Sequence, residues 1–179
     1  MKWMATVLAT SAAALLTGCA PVLSVNPLYT DTSSVKEPAV AGIWEDVDGS
    51  ETWVVRDAGD NGYSLVVAPV KENDAVQVYD VRLVRVGGLL FADGTLRRES
   101  DIAGHLLASV SVEGDNLRVA LPDAEWLKKE RPDFPLPAHT SNGDPLVFTA
   151  TTAEVQLFMT KCAGMPGCLG EPATFHRVK

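Results

Sequence analysis

From Val40 onward, hydrophobic and polar residues alternate with a period of two through much of the chain, the pattern of strands with one face on a core and one on solvent. Glu51 to Asp57 sets Trp53 and Val55 on one face and Thr52 and Arg56 on the other. Asp60-Asn61-Gly62 supplies a hairpin turn, because Asn and Gly tolerate positive φ, and Tyr63 to Val70 resumes the alternation with Tyr63, Leu65 and Val67 on one side. Val76 to Val86 is a long extended stretch whose apolar phase slips near Val78-Tyr79 and again near Leu83-Val84, which predicts bends or bulges. Gly87-Gly88 ends it, and Leu89-Leu90-Phe91 begins another strand. His105 to Val112 places Leu106, Ala108, Val110 and Val112 on one face. Glu113-Gly114-Asp115-Asn116 turns the chain, and Leu117, Val119 and Leu121 face inward against an outward Arg118.

Two stretches change to a helical period. Asp123 is placed to cap a short helix that turns Ala124 and Leu127 inward, sets Lys128-Lys129 near its C-terminal dipole and stops before Pro132. Thr151-Thr152-Ala153-Glu154 reads as a capping box, followed by Val155, Phe158, Met159 and Cys162 at i, i+3, i+4 and i+7, one apolar stripe for packing on a sheet. Arg131 to Gly143 reads as a loop, and Leu146 to Ala150 and Ala173 to Val178 as further strands. The sum is a mainly β (α+β) domain of about seven or eight short antiparallel strands with two short helices, arranged as a sandwich or as a closed barrel that removes exposed edges.

The first residues follow a different logic. Lys2 opens a short basic region, and Ala5 to Leu16 is uncharged and apolar for about a dozen residues, short of the roughly 20 that span a bilayer. Leu16-Thr17-Gly18-Cys19 resembles the lipobox of bacterial lipoproteins. The resemblance implies a signal peptide over 1–18, cleavage before Cys19, and diacylglyceryl and acyl chains on Cys19 that hold the protein on a membrane without spanning it. Ala20 in place of an Asp after the cysteine implies the outer membrane, by analogy with enterobacterial lipoproteins. Residues 19–38, rich in Pro, Ser and Thr, read as a tether able to reach about 60 Å, although Leu23, Val25, Leu28 and Tyr29 are apolar enough to dock. Residues 39–179 form the single β-rich domain, expected in the periplasm. With Cys19 assigned to lipid, Cys162 and Cys168 remain as a pair across five residues, and an oxidising compartment makes a disulfide the natural reading over a metal or redox site.

Gly42-Ile43-Trp44 resembles the Gly-x-Trp signature of lipocalins, whose Trp closes the narrow end of a β-barrel. Along nearly all of the mature chain, Asn26-Pro27-Leu28-Tyr29-Thr30, Gly42-Ile43-Trp44, Val81-Arg82-Leu83-Val84-Arg85, Leu90-Phe91-Ala92-Asp93, Leu117-Arg118-Val119, Glu125-Trp126-Leu127 and Ala153-Glu154-Val155-Gln156 look like a group of bacterial envelope lipoproteins. That likeness implies architecture and anchoring and transfers no catalytic residue.

Charge and motifs narrow the chemistry further. A net charge of -8 without a basic stripe disfavours nucleic acid. There is no Gly-x-Ser-x-Gly elbow and no phosphate-cradling loop, and His105, His139 and His176 lack ligand-pair spacing and read as surface or strand-end residues. Asp57, Asn61 and Gly62 superficially match a calcium loop, but Gly59 and Ala68 stand where ligands are needed, so a hairpin explains them better. Arg82, Arg85 and Arg97-Arg98 either neutralise an anionic ligand from inside or form a solvated outer surface, the second being favoured. Trp44, Trp53, Tyr63 and Trp126 either fill the core, the favoured reading, or line a pocket for an apolar molecule. These readings make the protein a non-catalytic, cofactor-free, lipid-anchored envelope protein acting as an interaction or structural accessory module with a protein partner. The alternative is a lipocalin-like carrier of an apolar or lipid-like small molecule, and the remote alternative is an envelope hydrolase.

Overall fold

The computed structural model describes residues 21–70, 75–97, 104–130 and 145–179, with the backbone of Ala138–His139 between the last two. Its strands are β1 (Val22–Ser24), β2 (Ser34–Val35), β3 (Gly42–Asp46), β4 (Glu51–Gly59), β5 (Gly62–Pro69), β6 (Gln77–Val86), β7 (Leu89–Leu96), β8 (His105–Glu113), β9 (Asn116–Ala120), β10 (Ala138–His139), β11 (Leu146–Phe148) and β12 (Ala173–Arg177); α1 is Ala124–Glu130 and α2 Thr152–Ala163. Strands β3 to β9 each pair antiparallel with the next, and β12 enters between β3 and β9 to close a lipocalin-like barrel of eight strands. One end of the barrel carries the links β3–β4, β5–β6 and β7–β8. The other carries tight turns at 60–61, 87–88 and 114–115. Asp60 (φ 42°) and Asn61 (φ 58°) both take the left-handed conformation of a two-residue hairpin, so the segment that superficially matches a calcium loop is a β4–β5 turn.

The bends expected in β6 are absent. It pairs without a break from Gln77 to Arg82 with β5 and from Tyr79 to Val86 with β7. The slipping phase has another cause: Tyr79, Val81 and Leu83 face the barrel interior, while Val84 and Val86 are covered from outside. A strand buried on both faces loses its clean alternation.

The outer cover is a second core. α2 carries the expected capping box, with the Thr151 hydroxyl accepting from Glu154 N–H and the Glu154 carboxylate accepting from Thr151 N–H. It buries Val155, Phe158, Met159 and Cys162, which join Val84, Phe91 and Leu107 on the outer face of β6–β8 with Val22, Leu28, Leu146 and Phe148. Asp123 caps α1 through Trp126 N–H. Cys162 and Cys168 form a disulfide that closes the turn after α2 and contributes about 2 kcal/mol by restricting the unfolded chain. Most of the expected loop from Arg131 to Gly143 lies outside the described residues.

The expected tether is instead part of the body from Val22 onward. β1 pairs antiparallel with the first residues of β8 and parallel with β11. The chain then descends the outside of the barrel, where Leu28 N–H donates to the buried Asp93 carboxylate at 2.6 Å and β2 pairs with β6. Of the apolar residues expected to dock, Leu28 is fully covered while Val25 is exposed, and Val22, not among them, is buried as well. The compact domain therefore starts well before residue 39.

A single knot closes the far end. Pro38–Val40 forms a 3-10 turn across it, the Trp44 indole donates to Val40 O at 2.9 Å, and the Arg177 guanidinium lies 4.1 Å over the Trp44 ring. The same guanidinium donates to Ala41 O at 2.8 Å and Ala39 O at 2.6 Å. Gly42 passes beneath it with φ 150°, and a Cβ there would stand 2.4 Å from Arg177 Nη1, which is why a glycine precedes the Trp by two positions. Gly42→Ala and Arg177→Met are each expected to cost about 1–3 kcal/mol in urea unfolding, the first through strain and the second through two lost charge-assisted bonds. Because both disturb one contact, the double variant should lose less than the sum; full additivity would show that the knot is not a unit.

Candidate functional site

Inside the barrel, between this closed end and the opposite one, lies a cavity of about 170 Å³. Trp53, Val55, Tyr63, Leu65, Val67 and Tyr79 form one side of it, and the other is built from β7, β8 and β9. On that second side the inward residues of β7 and β8 include Ala92, Gly94 and Ala108, next to Leu83, Val81 and Leu106 on neighbouring strands. Small side chains at inward positions leave the space open, which the alternation alone did not disclose. The volume exceeds the about 150 Å³ in which an apolar cavity holds a benzene ring.

The two ends differ in access. At the closed end Trp44, Val40, Leu83, Leu117 and Phe175 are buried. At the other end Glu51, Gln77, Leu106 and Leu121 line the cavity and are partly exposed, and among the described residues the opening lies on that side. The polar groups of the lining gather at that mouth: Trp53 Nε1–H donates to Glu51 Oε1 at 3.0 Å, and the Tyr79 hydroxyl donates to Gln77 Oε1 at 2.6 Å. Asp46 follows the last β3–β4 pair, Glu45 with Thr52, and accepts from the Ser50 hydroxyl. Burial pushes the Glu51 carboxyl above its ordinary range; the Trp53 hydrogen bond opposes the rise and the Asp46 charge adds to it. The site is an apolar chamber with a mouth of carboxylate and amide groups.

The four aromatic residues singled out from the sequence divide three ways. Trp53 and Tyr63 line the cavity, and Tyr63 also accepts from Glu37 N–H beneath it. Trp44 belongs to the closed end. Trp126 sits on the outside of the barrel against the second core, where a Cβ on Gly167 would meet its indole at 2.8 Å, so it takes no part in the pocket. Tyr79 and Glu51 are lining residues that the sequence pattern did not single out, and Leu65 lines the cavity on the face it was expected to share with Tyr63 and Val67.

The arginines are external. Arg82 stacks over Tyr29 at 5.2 Å and bonds Asp60 O, Arg85 pairs with Glu37 at 3.0 Å, and Arg97 pairs with Asp80; Arg98 lies outside the described residues. His176 is exposed and bonded to Asn116 at 2.7 Å, and His139 is described by its backbone alone. His105 stands at a strand end, as the first residue of β8, but not on the surface. Its side chain is 15% exposed and its Nδ1 lies 2.7 Å from Asp93 Oδ1, itself in a residue 1% exposed, with Thr95 Oγ1 at 3.5 Å from the same nitrogen. A nucleophilic relay needs the carboxylate and the hydroxyl on opposite ring nitrogens. The group instead anchors Leu28 and so the descending segment. Among the described residues no cluster of three or more His, Cys, Asp or Glu is placed to hold a metal ion.

Because the folded state holds the Glu51 carboxyl above its unfolded value, ionising it opposes folding: the stability it leaves intact at low pH is lost as pH rises through the folded-state value. Glu51→Gln, which retains an acceptor for Trp53, should therefore melt at a higher temperature than the parent protein near neutral pH and at the same temperature well below the carboxylate range. A constant difference at both pH values would show that Glu51 ionisation is not the cause. Comparison with known proteins finds no family model, no curated protein and no solved structure that matches this chain.

Proposed function

We propose that this chain is a carrier that holds a small, apolar molecule, one ring or a short acyl chain in size, inside its barrel. The observation that carries the reading is the open, apolar-lined cavity in a barrel whose other end is tightly closed. A structural module has no use for such a void, because an unfilled interior forfeits packing energy that larger side chains would recover. Of the roles expected from sequence, this favours the lipocalin-like carrier over the interaction module. The same reading places Cys19 as the lipidated residue on which the protein is held to the outer membrane, with the barrel in the periplasm. It rests on the apolar leader and the Leu-Thr-Gly-Cys motif, since residues 1–20 lie outside the described part of the structure.

Binding in the barrel is tested with residues 20–179, secreted to the periplasm with Cys19 omitted, because Val22 and Leu28 belong to the fold. Native mass spectrometry should show a small-molecule adduct that organic solvent releases. Ala108→Leu projects an isobutyl group into the cavity and should reduce occupancy at least about tenfold, a 1.4 kcal/mol loss, without lowering the melting temperature. A clean apo mass for the parent protein, or an adduct untouched by Ala108→Leu, would rule out carriage in the barrel. For the anchor, Cys19→Ser should abolish the acyl mass and release the protein from the membrane fraction; retention of both would remove lipidation at Cys19.

A further inference from the structure

Glu51 is the one charged side chain among the described residues that line the cavity. It reaches the lining from the first position of β4, in the inward phase that it shares with Trp53 and Val55, and it is half-buried. Trp53 Nε1–H satisfies its Oε1 at 3.0 Å. Its Oε2 receives no hydrogen bond from the described residues and is accessible, the buried side-chain atom without a partner being Ser34 Oγ. No described cation pairs with Glu51. Arg97, at the same end of the barrel, is paired with Asp80, and His105 with Asp93.

Such a charge is costly where it stands. Burial is the main reason that ionising Glu51 is unfavourable, and the nearby Asp46 carboxylate adds to the cost instead of offsetting it. A glutamine would keep an acceptor for Trp53 and remove that cost, so the fold alone does not account for the carboxylate. A ligand entering past Glu51 takes water from Oε2, and three classes of head group differ in what they return. A carboxylate meets the negative charges of Glu51 and Asp46. A hydroxyl returns a hydrogen bond but leaves the charge unbalanced. A protonated amine returns both the hydrogen bond and the counter-charge that the described residues lack. Deeper in, Val55, Leu65, Val67, Leu106 and Ala108 present hydrocarbon alone, so a charged nitrogen finds its place at the mouth and an apolar body behind it.

We infer that the molecule held in the barrel is a small apolar amine, its hydrocarbon body in the chamber and its protonated nitrogen donating to Glu51 Oε2. This deepens the carrier reading and rests on it. The Trp53 indole acts as a positioning group, since its bond to Oε1 fixes the carboxylate while leaving the other oxygen to the ligand. Free fatty acids and other apolar carboxylates are the molecules that this arrangement turns away.

The test uses residues 20–179, which contain every described element, and isothermal titration calorimetry at neutral pH with hexylamine, hexanol and hexanoate, one chain length with three head groups. Hexylamine should bind at least about tenfold more tightly than hexanol, and hexanoate more weakly than either. Glu51→Gln should bring the amine and the alcohol to within about twofold of one another, and Ala108→Leu should weaken both. Equal binding of amine and alcohol by the parent protein, or an amine preference that survives Glu51→Gln, would overturn the amine and leave the carrier standing. So would a native adduct whose released molecule contains no basic nitrogen. Failure of all three probes to bind would also overturn the amine, and combined with a clean apo mass in native mass spectrometry it would overturn the carrier reading as well.

Discussion

The closed end of the barrel depends on the guanidinium of Arg177. It stacks on Trp44 while donating to the carbonyls of Ala39 and Ala41, which ties β12, β3 and the 3-10 turn at one point. Only a planar group with several fixed donors can cover a ring and reach two carbonyls at once, and a lysine in its place would supply a single point charge. The Trp44 indole, already committed to Val40 O, stiffens the platform. With this end sealed, the opening shown by the described residues lies at the opposite one.

A hollow interior weakens a barrel, and this one has its compensation on the outside. The wall made by β6, β7 and β8 serves two cores: Leu83, Ala92 and Ala108 face the cavity, while Val84, Phe91 and Leu107 are buried under α2, the descending segment and β11. The outer cluster includes Phe148 against Phe158 at 5.0 Å, edge to face, and is held at one corner by the disulfide and at another by Asp93, which satisfies Leu28 N–H and His105. Packing of ordinary density on one side of the wall allows a void on the other.

What the sequence pattern disclosed and what it hid follow from this division. Strands with one solvated face, such as the one containing Tyr63, Leu65 and Val67 or the hairpin around Gly114, were legible from their alternation, and α2 from its capping box and apolar stripe. β6 was misread because both of its faces are covered. The segment from Val22 to Pro38 lacks periodicity altogether, since it docks through single residues such as Leu28 rather than through a repeating face. At the site, Trp53 and Tyr63 could be named as aromatic residues in the inward phase, but Trp126 has the same chemistry and lies outside. Which side of a wall a residue occupies is decided by closure of the barrel, a contact between residues 44 and 177 that no local pattern records.

That closure has a kinetic side. Seven barrel strands follow one another directly, but the eighth, β12, comes only after an excursion from Leu121 to Pro172 that contributes the helices and the disulfide. Until β12 arrives, β3 and β9 present unpaired edges and the apolar inner face is open. The pairing that removes those edges joins positions far apart in sequence, the kind of contact that places β-rich domains in the slower, millisecond-to-second range of folding. The outer core, complete once α2 and the Cys162–Cys168 turn have formed, has no need of β12. Closure of the chamber thus waits on the one pairing that the outer core does not require.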